Sequence, residues 1–402
     1  MSEFDFTSVI SRVGSGAIAV DALGMGGNAP SKPKEGFDVI PMWVADMNFP
    51  TCPAVLQAIA GRLEHPHFGY FGIRDEYYSG IINWHKKRNG VTGLTPACIG
   101  YENGVLGGVA SAIRAFAAPG DKILLHSPTY IGFTHSIEES GYRIILSELK
   151  KDEEGIWRMD YEDMDRKIRE HQIHVAVFCS PHNPTGRVWE REELEKAMEV
   201  YRKNDCVVIS DEIWSDILLD GHRHIPMQSV NEDAKKRVIA LYSTSKTFSL
   251  AGLIGSYHII YDSYLRDRVR AAAAKTHYNS INILSMYAQI GAASAEGMEW
   301  VDELCAVLSK NADYAYNHIR DRYDGIELAK PQGTYMLYLD CGKYCEQAGI
   351  PFYRLLKEGW NRGVGWQDGR PFHGPSSIRM NLASPFSRIE EAFERLDQFL
   401  IS

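Results

Sequence analysis

Val238-Ile-Ala-Leu-Tyr242-Ser243-Thr-Ser-Lys246-Thr-Phe-Ser249 passes from five uncharged residues straight into a lysine flanked by hydroxyls. The first five read as a strand buried on both faces, and the lysine belongs to the loop that leaves its carboxyl end. Five similar runs surround it, at 122–126, 142–146, 174–178, 206–209 and 257–261. Amphipathic stretches separate them. In Glu190 to Lys203, Leu194, Met198 and Tyr201 recur at spacings of three to four while charged residues cover the other face. Strand alternating with helix implies a mostly parallel sheet covered on both sides, an α/β fold. In open sheets of that kind ligands bind beyond the carboxyl ends of the strands, where Lys246 falls.

Away from this centre the pattern changes. After Ser280 come long helical stretches, then strand-like runs at 334–339 and 377–382 and a closing helix near 388–400, which together read as a smaller α+β domain. The first fifty residues hold Gly14, Gly16, Gly24, Gly26, Gly27, Pro30 and Pro33, and suit an arm or loop rather than a core element. The expected division of the 402 residues is an N-terminal segment (1–48) joining the small domain, a large domain (49–290) and a small C-terminal domain (291–402). A hydrophobic content of 45% with 11% aromatics excludes a disordered chain. The 43 basic and 52 acidic side chains are interleaved, so no basic face is offered to nucleic acid. No apolar run approaches the ~18 residues of a membrane-spanning helix. Met1-Ser2-Glu3-Phe4-Asp5 lacks the basic and apolar regions of a signal peptide, and the expected location is cytoplasmic. The seven scattered cysteines read as reduced thiols, and no metal-ligand spacing stands out.

Four elements can carry chemistry. Lys246 alone is ambiguous: a strand-end lysine can reach solvent along its stem, or, when buried, give up its proton and form Schiff bases. Ser180-Pro-His-Asn183-Pro-Thr-Gly186 is built of turn formers, yet its two prolines hold Asn183 rigidly enough to present its amide to a ligand. Ser210-Asp211-Glu212-Ile213 places an acid pair at a strand end, 28 residues after Asn183 and 35 before Lys246. One of the two carboxylates is expected to be buried, and it then needs a cation, an arginine or the protonated ring nitrogen of a cofactor. Asn103-Gly104-Val-Leu-Gly-Gly108 opens an Ala-rich helix whose first N–H groups suit a phosphate, without the glycine pattern of a dinucleotide site or a P-loop.

In this order the four elements resemble those of fold-type I pyridoxal-phosphate enzymes of the class I/II aminotransferase superfamily. Trp43-Val-Ala-Asp-Met-Asn-Phe49, His67-Phe-Gly-Tyr70, Ser180 to Trp189 and His224-Ile-Pro226 are similar to the MalY/PatB branch of carbon–sulfur β-lyases, the cystathionine β-lyase type. The resemblance spans nearly the whole chain. It implies a mostly parallel seven-stranded sheet in the large domain, pyridoxal 5'-phosphate as cofactor, an obligate homodimer, and a set of residue roles. Lys246 carries the cofactor as a Schiff base and, once displaced by substrate, removes the Cα proton. Asp211 keeps the pyridine nitrogen protonated, Asn183 bonds the ring's phenolate oxygen, Tyr130 stacks on the ring, and Trp214 lies beside it. The phosphate sits on the N–H groups of Val105 and Leu106 near the Ser243 and Ser245 hydroxyls, with Tyr70 reaching in from a second subunit as part of the catalytic set. Arg379, in Ser377-Ile-Arg-Met-Asn381, grips the substrate carboxylate with Asn183 and Ala45.

Two positions depart from the aminotransferase pattern. Ile254 stands where most class I aminotransferases carry a phosphate-binding arginine, an absence shared with the lyase branch. Trp214 stands where transaminases have tyrosine and the lyases often histidine; an indole donates a hydrogen bond but accepts none. The resemblance implies α,β-elimination on L-cystathionine or another L-cysteine S-conjugate. An aminotransferase of a small or aromatic amino acid is the alternative, an amino-acid racemase a side activity, and a partner-binding regulator a further reading. Sequence does not decide whether Trp43, His277 and Tyr278 line the leaving-group pocket, or whether the N-terminal arm is a lid or a dimer embrace.

Overall fold

The computed structural model describes residues 4–276 and 279–401, so His277 and Tyr278 lie outside the described residues. In chain order the principal strands are β1 (Ile40–Met42), β2 (Ile99–Asn103), β3 (Lys122–Ser127), β4 (Arg143–Glu148), β5 (Val175–Cys179), β6 (Val207–Asp211), β7 (Val238–Tyr242), β8 (Gly255–Ile259), β9 (Glu327–Leu328), β10 (Met336–Asp340), β11 (Val364–Asp368) and β12 (Ser377–Asn381). Seven of them form one sheet in the order β2-β8-β7-β6-β5-β3-β4. Its five-strand run from β7 to β4 is parallel, and β8 runs antiparallel to both β7 and β2. Every residue of β5 and β7 is buried, as the uninterrupted apolar text requires for strands with helices on both faces.

Register sets the position of the site. Cys179 pairs with Asp211, and Asp211 pairs with Leu241, so β5, β6 and β7 end level with one another. The 180–186 turn, Asp211 and the 243–246 segment therefore leave the same edge of the sheet. β2 is a sixth neighbour along that sheet which the apolar runs did not reveal, because Gly100 and Glu102 alternate with Ile99 and Tyr101. Glu102 is nonetheless buried, accepting from His258 Nδ1 at 2.7 Å and from Asn279 Nδ2 at 3.0 Å.

The second sheet has the order β1-β11-β12-β10-β9. The reading of the first fifty residues as arm or loop needs correcting at β1, where Ile40 and Met42 are fully buried and pair in parallel with β11. A Pro at 41 hid that strand, since it removes a ladder donor and is tolerated only where the sheet ends. Long helices cover this sheet: α1 (Ala295–Arg322) and α2 (Phe386–Leu400). Asn311, buried on α1, donates to the carbonyls of Leu382 and Ser384 at 2.8 and 2.9 Å, clamping the turn that follows β12. Asn311→Leu removes both donors from buried carbonyls and is expected to destabilise the chain by about 2–4 kcal/mol, measured as a lowered urea midpoint at unchanged slope.

Candidate active site

Arg379 and Asn381 lie two apart on β12 and share a face of the strand, while Ile378 and Met380 turn the other way into the core. That shared face meets the 43–48 segment. Asn381 Nδ2 donates to the carbonyls of Val44 and Asp46, and Arg379 Nη2 donates to the carbonyl of Trp43 at 2.9 Å. Arg379 Nη1 donates to Asn183 Oδ1 at 3.1 Å, so the arginine joins the second sheet to the 180–186 turn of the first. Its charge lies 4.5 Å over the ring of Phe372, and its Nε is buried with no partner among the described residues. Burial lowers the Arg379 guanidinium to about 10, still charged at neutral pH.

Lys246 sits in the one-turn helix 244–247, capped by Ser243, whose hydroxyl accepts from the Ser245 N–H at 3.0 Å. The Ser243 Oγ also lies within hydrogen-bond distance of Ser245 Oγ and of the Gly255 carbonyl, so both serine hydroxyls are already engaged within the chain. Lys246 Nζ donates to the Ala45 carbonyl at 2.8 Å and lies 5.8 Å from the centre of the Trp214 ring. Burial, helped by nearby Arg379 and opposed by Asp46 and Asp211, lowers its amine to about 8. Trp214 is buried edge-on against Tyr335, with ring centres 4.6 Å apart.

Both acids of the 211–212 pair are buried, where one was expected. They face different surroundings. Glu212 is fully satisfied, receiving Ser210 Oγ, the Met227 N–H and the Tyr242 hydroxyl and pairing with His224 Nε2. Among the described residues the Asp211 carboxylate accepts only the Ile213 N–H, at 3.0 Å, and has no paired cation. Burial, against the pull of the Ile213 hydrogen bond and the Lys246 charge, pushes Asp211 up to about 7.

Tyr130 is held against the edge of Phe133 at 5.4 Å, and a side chain at Gly132 would strike its ring, which explains the glycine. Burial raises the Tyr130 phenol; Arg379 counters and Asp211 reinforces the rise. Gly104, at φ 76°, turns the chain into the helix Val105–Phe116, whose first N–H groups carry no side-chain cap. Beside that turn stands Ile254, in the left-handed region at φ 55°, where a branched side chain is strained. Its carbonyl accepts from the Gly104 N–H and the Tyr101 hydroxyl at 3.1 Å each.

The structure thus gathers Lys246, Asp211, Asn183, Tyr130, Trp214, Arg379 and Ala45, with Val105 and Leu106 opening one helix and Ser243 and Ser245 at the start of another. It does not bring Tyr70 to them within one chain: that side chain is fully exposed in a segment with Phe68, Phe71 and Ile73 also open to solvent. Sequence reading missed Tyr335, whose hydroxyl donates to the Ala45 carbonyl at 3.1 Å, and Arg12, which clamps the Asp46 carboxylate. Tyr335 stood in a quoted strand-like run but carried no signal of its own. Arg12 lies in the arm, where nothing local marks it.

This architecture defines an amino-group-handling α/β enzyme class, and comparison bears that out: the profile of the aminotransferase class I and II family matches residues 38–396, and the chain belongs to that family. Among its relatives, the cystathionine β-lyase PatB of Bacillus subtilis is 31% identical over 89% of this chain and 92% of its own length. Protein MalY of Escherichia coli is 29% identical, covering 96% of each. The crystal structure of a PLP-bound C-S lyase from Staphylococcus hominis superposes with a TM-score of 0.89 at 28% identity, covering 100% of this chain and 99% of that one.

With burial pushing the Asp211 carboxyl up to about 7 from an ordinary 3.8, the unfolded chain binds fewer protons between those values and stability falls as pH rises. Asp211→Asn is therefore expected to stabilise the ligand-free chain by about 2–4 kcal/mol at pH 8. The gain should shrink to less than half at pH 5, as read from urea midpoints at the two pH values.

Proposed function

We propose that the chain is a pyridoxal-phosphate-dependent carbon–sulfur β-lyase, which cleaves L-cystathionine or a similar L-cysteine S-conjugate to a thiol, pyruvate and ammonia. One observation carries the reading. Beside the carboxyl edge of the large sheet a partly buried amine meets a buried acid and a buried guanidinium, and among the described residues the acid and the guanidinium each keep an unfilled hydrogen-bonding position. The named activities of PatB and of the Staphylococcus lyase support it.

The residues fit pyridoxal phosphate. Asp211 lacks the cation that a protonated ring nitrogen supplies, and an ionised pair there forms a strong charge-assisted hydrogen bond. Asn183 would hold the phenolate oxygen, Tyr130 and Trp214 would flank the ring, and Lys246 would hold the group covalently. The uncapped N–H groups of Val105 and Leu106, with Ser243 and Ser245 nearby, would receive the phosphate. When bound, the group supplies a sink for the electron pair left at Cα.

The chain's own residues do the rest. Arg379 binds the substrate carboxylate through its planar fork and, with Asn183 and the 43–46 segment, fixes the amino acid's orientation. Lys246, poised with a lowered amine, takes the Cα proton at Nζ and is received as an ammonium by the Ala45 carbonyl 2.8 Å away. The β-thiolate leaves, and water converts the released aminoacrylate to pyruvate and ammonia. Trp214, packed on Tyr335, lies beside the amine, its ring centre 5.8 Å from Nζ. We also infer a homodimer in a cytoplasmic setting, in which the exposed Tyr70 reaches the phosphate of the neighbouring copy; its complete exposure, among Phe68, Phe71 and Ile73, supports that placement.

The direct test gives pyridoxal-phosphate-loaded protein L-cystathionine with and without a 2-oxo acid, following thiol, pyruvate and ammonia. Thiol and pyruvate without the oxo acid are expected. Intact cystathionine, with an amino donor consumed only when the oxo acid is present, supports an aminotransferase instead. Arg379→Lys, which cannot form a two-pronged bond, is expected to raise KM about ten- to a hundredfold, in steady-state assays.

A further inference from the structure

The Ala45 carbonyl accepts two donors, Lys246 Nζ at 2.8 Å and the Tyr335 hydroxyl at 3.1 Å. We propose that Tyr335 is a positioning residue for Lys246: its hydroxyl fixes the Ala45 carbonyl as the resting place of the lysine amine and, by sharing that oxygen, disfavours the ammonium there. The phenol points the positive end of its O–H dipole at the same oxygen that an ammonium must use. A carbonyl already receiving one hydrogen bond is a weaker acceptor for the next. A neutral amine tolerates the arrangement, since it can donate one hydrogen and turn its lone pair away.

The position of Tyr335 is over-determined. Thr334 takes the left-handed conformation at φ 65°, and its Oγ1 accepts the Met336 N–H at 3.0 Å, which fixes the backbone at Tyr335 just before β10 begins. The ring stands edge-on to Trp214 at 78° and is buried. Other groups facing Lys246 are Arg379 from β12, which opposes a proton on the amine, and Asp211 from β6 and Asp46 from the 43–48 segment, which favour it. Asp46 is itself held by Arg12 across a 2.5 Å ion pair. With one cation set against two carboxylates, one of them already paired, a single hydrogen bond has leverage over the amine.

The inference rests on Lys246 as the reacting amine of the proposed function, yet its test needs no cofactor. Full-length, cofactor-free protein is pulsed with acetic anhydride between pH 6 and pH 10, and acetylation of Lys246 is read by peptide mass spectrometry against an exposed lysine. Tyr335→Phe keeps the ring against Trp214 and is expected to move the Lys246 midpoint up by about 0.5–1 on the pH scale. Acetylation at pH 7 should slow about three- to tenfold. 3-Fluorotyrosine incorporated at position 335 donates more strongly and is expected to move the midpoint down; it keeps the test alive if the phenylalanine variant does not fold. A midpoint unchanged or lowered in Tyr335→Phe, or not lowered by 3-fluorotyrosine, overturns the proposal. Protein that takes up no pyridoxal phosphate but shows the expected shifts would contradict the functional reading and leave the role of Tyr335 standing.

Discussion

Asp211 and the segment bearing Lys246 leave neighbouring parallel strands at the same level, where Asp211 is buried and Lys246 partly so. Burial acts on the two groups in opposite senses, raising the acid to about 7 and lowering the amine to about 8. Each is thereby moved toward its neutral form, and neither has an ion-pair partner among the described residues. Much of the remaining architecture holds this uncompensated pair in a fixed geometry. Glu212, next to Asp211, shows the contrast: its four hydrogen-bonding partners make it a structural brace, and only Asp211 is left open to a ligand.

The second sheet completes the site by delivering residues from distant parts of the chain. β12 carries Arg379 and Asn381 to the 43–48 segment, which in turn lays the Ala45 carbonyl beside Lys246. Arg12 ties the arm to this same segment through Asp46, Met47 and Asn48. Arg379 and the Lys246 amine thus share one strap of backbone, so that a shift of that strap moves both.

The central strands were legible because parallel strands buried on two faces read as unbroken apolar text, as at 175–179 and 238–242. Strands whose apolar text is interrupted were not: β2 alternates Gly and Glu with its apolar residues, β11 contains Gly365 and Gln367, and β1 contains Pro41. For the site, residues held in short linear motifs at strand ends, such as Asn183, Asp211 and Lys246, could be picked out, since the loop that presents them is local. Tyr335 and Arg12 could not, because their meaning lies in contacts to a segment some 290 and 34 residues away in sequence. His224 stood in a quoted motif, but its partnership with Glu212 became visible only once the strand ends were assembled.

The decisive observation is chemical. Protein loaded with pyridoxal phosphate is reduced with borohydride, digested and mapped. A single phosphopyridoxyl group on Lys246 is the predicted result. A modified lysine elsewhere, or none at all, would contradict the reading of the buried pair as a cofactor site.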